Sequence, residues 1–544
     1  MNLKLLFITV FLSLYSCNII NTNNSDSNDL SESINNNISS DNSSTINNNI
    51  SSNNSSTSNN NISSDNSSTS NNDYKDRDYY KTLVDRSKIN YSPDFINDNS
   101  KDISTIQVFE INDTHGAFHD ESDLVGIGRV ATCINEKTID PYGVVKIANG
   151  DILQGTAFSN MLIGEPGIAA LNEMNFDCFV IGNHEFDWGL DLLSAYKDGN
   201  LLNGELECPF LGANIIDATG KMPEWIQPYT VVEKGDVKVG IIGVLGENLE
   251  STISHIALAG YQFTSSVYAV NKYAKILLEE EKVDVLIVSD HNHDKSTNQK
   301  YVNTYDVDLI INGHDHNKIT EYVNRYDSMS IPVVESYTKN KSMAMVTLNL
   351  DSNNKVVSNS VTHFTPGNFN EDSNLKNIMD VYYEVTSSYQ NEVIGHTNST
   401  LSKSAFAGSV CTYMADKYQA DIAFVNTGGI RASIGAGNIT ISDVYEVFPF
   451  DNEIVYAYLT GAEIKSMIGN NISYYYYNNG FYSNSTSLSV SDLISNEKYK
   501  VLTIDFMLGK TYISRYMNES HNLSNTGDYI RDCAIEDIKT NYKK

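Results

Sequence analysis

The sequence runs to 544 residues with a formal net charge of −31, 40% hydrophobic and 19% charged residues. At about 100–200 residues per domain, that length implies roughly two to four domains, and so acidic a chain offers no broad basic face to a nucleic-acid polymer. Six cysteines and thirty-two glycines without a period exclude a disulfide-stapled scaffold and a collagen-like fibre.

Residues 1–17 read as a signal peptide. Lys4 gives a thin positive start, and residues 5–14 are apolar except for Thr9 and Ser13, too short a run to span a bilayer core of about 30 Å. The run ends in Leu14-Tyr15-Ser16-Cys17, which resembles the bacterial lipoprotein cleavage box, where the cysteine becomes the lipidated first residue. Ordinary secretory cleavage near residues 16–22 is the alternative. Residues 18–102 read as a disordered tether. To Asn72 it is almost wholly Asn, Ser, Thr and Ile, with a 12-residue repeat starting at Asn35, Asn47 and Asn59. One or two isoleucines per repeat cannot bury a face, so a solenoid is excluded. The expected location is therefore the cell envelope, periplasm or cell surface, with any membrane contact made through the N-terminal lipid. Residues 18–72 hold five acids and no base, which leaves −27 on residues 73–544.

From residue 103 the texture changes to short apolar runs alternating with helical stretches. Residues 106–111, 144–148, 179–181, 237–244, 283–288 and 307–311 predict buried strands, and 268–281 a helix between two of them. Residues 343–350 and 356–363 predict a hairpin that closes this unit at about residue 365. Leu375, Ile378, Met379, Tyr382 and Tyr383 have helical spacing, with Asp372 or Ser373 as cap, so 366–392 reads as a linker helix. A second α/β unit follows over 393–544. Cys133, Cys178, Cys208, Cys411 and Cys533 show no C-x-x-C spacing and read mostly as buried small hydrophobes, one disulfide remaining open.

Five segments of the first unit put metal-capable side chains where a strand ends: Asp113-Thr114-His115, Gly150-Asp151, Gly182-Asn183-His184-Glu185, Asp290-His291 and Gly313-His314-Asp315-His316. Carboxylate, amide and imidazole donors suit Zn²⁺, Mn²⁺ or Fe. Seven such ligands are too many for one tetrahedral ion but fit two ions sharing a carboxylate. The glycines before Asp151, Asn183 and His314 fit backbone crowded against such a centre.

These motifs carry a resemblance. VFEINDTHG, IANGDILQGT, VIGNHEFDWG, VSDHNHD and INGHDH, followed by NTGGIR and FPFDN, resemble the 5′-nucleotidase family over about residues 103–515. That family joins a calcineurin-like metallophosphoesterase domain to a C-terminal nucleotide-binding domain. The resemblance implies a four-layer α/β/β/α first domain over 103–365, the linker helix, and a C-terminal α/β domain. It implies Asp113, His115 and His316 on one divalent cation, Asn183, His291 and His314 on a second, and Asp151 bridging both. His293 is a rival to His291 within HNHD. Metal-activated water would attack phosphorus in line, with His184 and Asp187 as a catalytic dyad; Asp187 could alternatively cap a helix. For the second domain it implies substrate contacts from Asn426, Gly428, Gly429, Arg431 and Asn452, with Phe450 as one face of an aromatic clamp on a base.

Two departures stand out. The family's extra arginine is missing near residues 401–408, with only Lys403 close by, and its G-G-D-G element is absent, leaving Tyr512 as candidate second aromatic. The expected function is hydrolysis of 5′-nucleotides, small-molecule substrates, to nucleoside and phosphate. The alternatives are a 2′,3′-cyclic-nucleotide phosphodiesterase with 3′-nucleotidase activity, a UDP-sugar hydrolase, or a surface binding protein without turnover.

Overall fold

Residue-by-residue alternation decides the first layers. In the strand Thr105–Ile111, Ile106 and Val108 face one side while Phe109 and Ile111 face the other, and all four are buried. The structure, a computed structural model, describes residues 79–93, 98–121, 124–200, 204–468, 475–477, 482–483, 486–487 and 492–543. The expected signal segment, Cys17 and the repeats lie outside the described residues.

Thr105–Ile111 runs parallel to Val144–Asn149, which is followed in the sheet by Cys178–Val180, Phe210–Leu211 and Ile226–Gln227. Its other neighbour is Met343–Leu350, antiparallel, paired in turn with Val356–Phe364, so the late hairpin completes the first sheet. A second sheet of six strands has Val237–Leu245, Val285–His291, Leu309–Ile311 and Ser330–Glu335 in parallel, flanked by antiparallel Tyr229–Lys234 and Ile319–Asn324. Strands buried on both faces read as continuous apolar runs. Ile106, Val108, Val145, Ile147 and Val180 of one sheet pack on Val239, Ile241, Val285, Ile287 and Ile311 of the other. Helices Ile127–Lys137, Glu165–Glu173 and Ser373–Gln390 cover the outer face of the first sheet, and Ser266–Ile276 and Lys295–Tyr301 that of the second. The order of layers is α/β/β/α.

The linker helix is Ser373–Gln390, and Asp372 caps it by accepting from the Asn374 and Leu375 amides, each at 2.9 Å. Beyond it, a five-stranded sheet centres on Lys498–Ile504, between Ile422–Asn426 and Glu453–Thr460, with Tyr475–Tyr477 and Ser524–Tyr529 at its edges. Helices Lys403–Lys417, Ile441–Val447 and Ile530–Asn541 pack on it. Ala157 and Met161 of the first domain complete that core, so the two domains share apolar surface.

The tether reading fails at its C-terminal end. Tyr79–Leu83 is helical, and Arg86 grips buried Glu165 through two bonds of 2.7 Å, with the Tyr382 hydroxyl donating to the same carboxylate at 3.2 Å. These contacts join residues far apart in sequence, which local composition does not reveal. The strand predicted at 283–288 is displaced to Val285–His291, carrying His291 to its last position. Cys133, Cys178, Cys208, Cys411 and Cys533 are free and buried. Among the described residues, no helix is long and apolar enough to cross a membrane.

Candidate metal centre and substrate cavity

Parallel strands end on the same side, so the loops that leave them converge. Asp113 and His115 follow Thr105–Ile111, Asp151 follows Val144–Asn149, Asn183 and His184 follow Cys178–Val180, His291 ends Val285–His291, and His314 and His316 follow Leu309–Ile311. Asp113, His115, Asp151, His314 and His316 all adopt left-handed backbone, with φ between 47° and 77°. Such conformations cost about 1–3 kcal/mol each and persist where the surroundings over-determine them. Here one function of that strain is visible: it turns side chains from the loops inward.

Two groups of possible metal ligands result among the described residues, Asp113–His115–His316 and Asp151–His291–His314. In the first, the His115 and His316 Nε2 atoms are 2.9 Å apart, and His316 Nε2 is 3.3 Å from Asp113 Oδ1. In the second, His291 Nε2 lies 3.1 Å from Asp151 Oδ2, while His314 Nδ1 meets Asn183 Oδ1 at 2.9 Å. His293 pairs with Asp315 at 3.3 Å and stands apart, so His291 is the histidine brought to the cluster.

Two tests of fit favour cations here. Buried Asp113 Oδ1, Asp151 Oδ2, Asn183 Nδ2 and His291 Nε2 lack hydrogen-bond partners. Buried polar groups are nearly always satisfied, and three of these four atoms are metal donors. Burial also opposes charge on Asp151, yet His291 and His184 hold its carboxyl well below the usual range; His316 and His291 likewise lower that of Asp113 against its burial. The donor set is thus anionic carboxylate among imidazoles.

The supporting contacts orient those imidazoles. His115 Nδ1–H donates to the Gln154 carbonyl at 3.0 Å, and His291 Nδ1–H to the Asn149 carbonyl at 2.7 Å, which turns both Nε2 atoms toward the cluster. Glu185 is buried and accepts from the amides of Asp151, Gly182 and Ile152 at 2.7, 2.8 and 2.9 Å, fixing the Asp151 turn without entering the cluster. Arg129 is likewise structural, bound to Asp120 and the Phe369 carbonyl. A Cβ on Gly150, whose φ is +77°, would lie 2.3 Å from His291 Nδ1, and one on Gly182 2.4 Å from Asp151 Oδ1.

Asp187 ends the short turn His184–Phe186 rather than starting a helix, and its Oδ2 accepts His184 Nδ1–H at 2.9 Å. His184 Nε2 is then 4.0 Å from Asp151 Oδ2. Burial works against the protonated ring, but Asp187 and Asp151 outweigh it and hold its pKa up at about 9.

Above this floor lies a cavity of about 860 Å³. Asn183, His184, Asp187, His314 and His316 line its first-domain side; Asn426, Gly428, Gly429, Arg431, Phe450, Asn452 and Tyr512 line the other. Every substrate-contact residue predicted from sequence is therefore in the wall. The Phe450 ring stacks on His184 at 5.1 Å and 14°, with the Arg431 guanidinium 5.9 Å above the same ring. Sequence reasoning missed Phe506 and Lys510, which also line the cavity, and a first-domain loop containing Ser251 and Ser254. Lys510 Nζ sits 5.0 Å over the Phe506 ring and donates to the Ser251 carbonyl at 2.6 Å. Lys403 does not line the cavity, so its second cation is Lys510. No motif marks these residues; the available signal was that Phe506 follows an apolar strand, Lys498–Ile504, as the metal-capable residues do.

Comparison with known proteins gives a consistent assignment. Residues 106–318 match the family described as calcineurin-like phosphoesterase, and residues 384–495 the 5′-nucleotidase C-terminal domain. A 5′-nucleotidase of Vibrio cholerae is 26% identical over 417 residues, covering 66% of this chain and 74% of that protein. An apyrase of Tabanus yao is 25% identical, covering 69% and 75%. The fold resembles the crystal structure of a 5′-nucleotidase precursor from Thermus thermophilus, with a TM-score of 0.68 at 20% identity over 81% of this chain and 97% of that one.

Proposed function

From a chain that belongs to the 5′-nucleotidase family, and is a metal-dependent phosphoric ester hydrolase, we propose a narrower activity: release of phosphate from 5′-nucleotides. The observation that carries this reading is one cavity that His316 and His314, one from each ligand cluster, line from below, with Arg431, Phe450 and Phe506 in its wall.

In this reading Asp113, His115 and His316 would hold one divalent cation, Asn183, His291 and His314 would hold the other, and Asp151 would serve both. The chemistry supplied by two such cations, Zn²⁺, Mn²⁺ or similar, is acidification of water and neutralisation of phosphate oxygens. The protein's own groups do the rest. Asp187 keeps the proton of His184 on Nδ1 and presents Nε2 toward the floor. A proton on Nε2 stabilises charge on the phosphoryl group and is available to the departing ester oxygen. Arg431 offers a planar fork of donors to phosphate, and the Asn426–Gly429 turn offers short polar groups beside it. Phe450 and Phe506 provide faces on which a base stacks, with Asn452 and Tyr512 at its edges; stacking is worth about 1–3 kcal/mol per base and tolerates any base.

Export completes the proposal. Residues 1–17 would direct the chain across a membrane, Cys17 would carry the lipid, and the Asn/Ser-rich tether would hold the enzyme off the surface. A phosphate-release panel of AMP, other 5′-nucleotides, 2′,3′-cyclic AMP, 3′-AMP and UDP-glucose, each with Mn²⁺, Zn²⁺ or EDTA, tests the substrate assignment. The 5′-nucleotides should be cleaved fastest and only with metal. Faster cleavage of the cyclic nucleotide or of UDP-glucose would replace the substrate named here.

A further inference from the structure

One carbonyl oxygen joins the two domains beside the cavity. Pro449 O accepts from Gln154 Nε2 at 2.6 Å and from Asn160 Nδ2 at 2.8 Å, both on the first domain, and from Arg531 Nη1 at 3.2 Å in the second. Arg531 is buried beneath the same loop, where it also donates to the Phe448 carbonyl at 3.2 Å and to the Asp451 carboxylate. The carbon of that Pro449 carbonyl is bonded to the backbone nitrogen of Phe450. Whatever fixes the oxygen therefore fixes the start of the residue whose ring stacks on His184.

Gln154 has two ends in this arrangement. Its backbone carbonyl orients His115, and its side-chain amide holds Pro449. The residue is 1% exposed, and its side-chain oxygen has no hydrogen-bond partner. An amide serving only as packing would normally be satisfied at both ends; this one is committed to the domain boundary. Asn160 uses its oxygen locally, accepting from the Gly155 amide at 2.8 Å, and gives its donor to the same carbonyl.

We propose that Gln154 and Asn160 are positioning residues: they clasp the Phe450 platform to the metal-binding floor and so set the enzyme's preference for phosphate esters that carry a base. This deepens the nucleotide reading above and rests on it. Arg531 holds the loop's shape within the second domain, while the two amides set its distance from His115 and His184.

Two substitutions separate the clasp from the fold. Gln154→Met keeps the side chain's length and the backbone carbonyl used by His115 but removes the donor. Asn160→Asp keeps the acceptor for Gly155 and removes the donor by a different route. With the full-length protein in Mn²⁺, kcat and KM are measured for AMP and for a small aryl phosphate, and amide hydrogen exchange is followed across residues 447–452. The ratio of kcat/KM for AMP to that for the aryl phosphate should fall about tenfold in each variant and further in the double variant, chiefly through KM for AMP. Exchange across 447–452 should accelerate. An unchanged ratio, or equal losses on both substrates, overturns the clasp. A wild type that cleaves the aryl phosphate but no nucleotide overturns the substrate reading instead. The clasp is then decided by exchange alone: acceleration in the double variant supports it, and unaltered exchange overturns it.

Discussion

The floor of the cavity and its far wall are built to different standards. In the floor, His115 and His291 are each buried and pinned through Nδ1 by a backbone carbonyl, and Asp151 sits on a turn tied down by Glu185. Strained backbone recurs from ligand to ligand. In the wall, Arg431 and Tyr512 are exposed, and the Arg431 guanidinium donates to the Gly428 carbonyl across a long 3.4 Å. Phosphoryl chemistry tolerates little displacement of its ligands, whereas stacking and phosphate binding accept a range of poses. Left-handed backbone occurs at five of the seven predicted ligands and at none of the predicted substrate contacts of the wall, which is left adaptable.

The most damaging change should be in the floor. Asp151→Asn should lower phosphate release from AMP and from a small aryl phosphate alike, by at least about a thousandfold, because the carboxylate proposed to serve both cations loses its charge. Steady-state kinetics with circular dichroism as a fold control checks this; loss on AMP alone would erase the distinction between floor and wall. Asp187→Asn is expected to be milder, about a hundredfold in kcat with KM nearly constant, since His184 would lose the negative charge that favours its protonated ring while the ligands stay. A KM effect without a kcat effect would move Asp187 from the floor to the wall. In the wall, Phe506→Leu should weaken AMP by about 1 kcal/mol, roughly fivefold in KM, if one stacking face is lost. A similar loss for the aryl phosphate would mean that Phe506 supports the cavity rather than the base.

The same contrast governs how much could be read from the sequence. The floor was legible because each ligand follows its own strand within a few residues, as in Asp113-Thr114-His115 and His314-Asp315-His316, so the chemistry is written locally. The α/β layering was legible for the same reason: apolar strands and amphipathic helices such as Ser373–Gln390 carry their own periodicity. What escaped was non-local. Residues 79–93 read as the end of the tether, yet Arg86 is held by Glu165, which Tyr382 also binds, and Lys510 joins the cavity through a first-domain carbonyl at Ser251. Phe506 carried no motif because its role comes from facing a cavity formed between domains. The Asp187 helix cap, compatible with a role beside His184, is not what forms: Asp187 closes the turn His184–Phe186, and Gly189 stands before the next helix.

The central claim is that the first domain performs hydrolysis and the second selects the ester. Arg431→Ala tests it most directly, because Arg431 lies in the wall and is not among the ligands. Measured on AMP and on a small aryl phosphate in the same Mn²⁺ buffer, the account predicts about a tenfold loss in kcat/KM for AMP and a much smaller one for the aryl phosphate. Equal losses on the two substrates would contradict the division of labour.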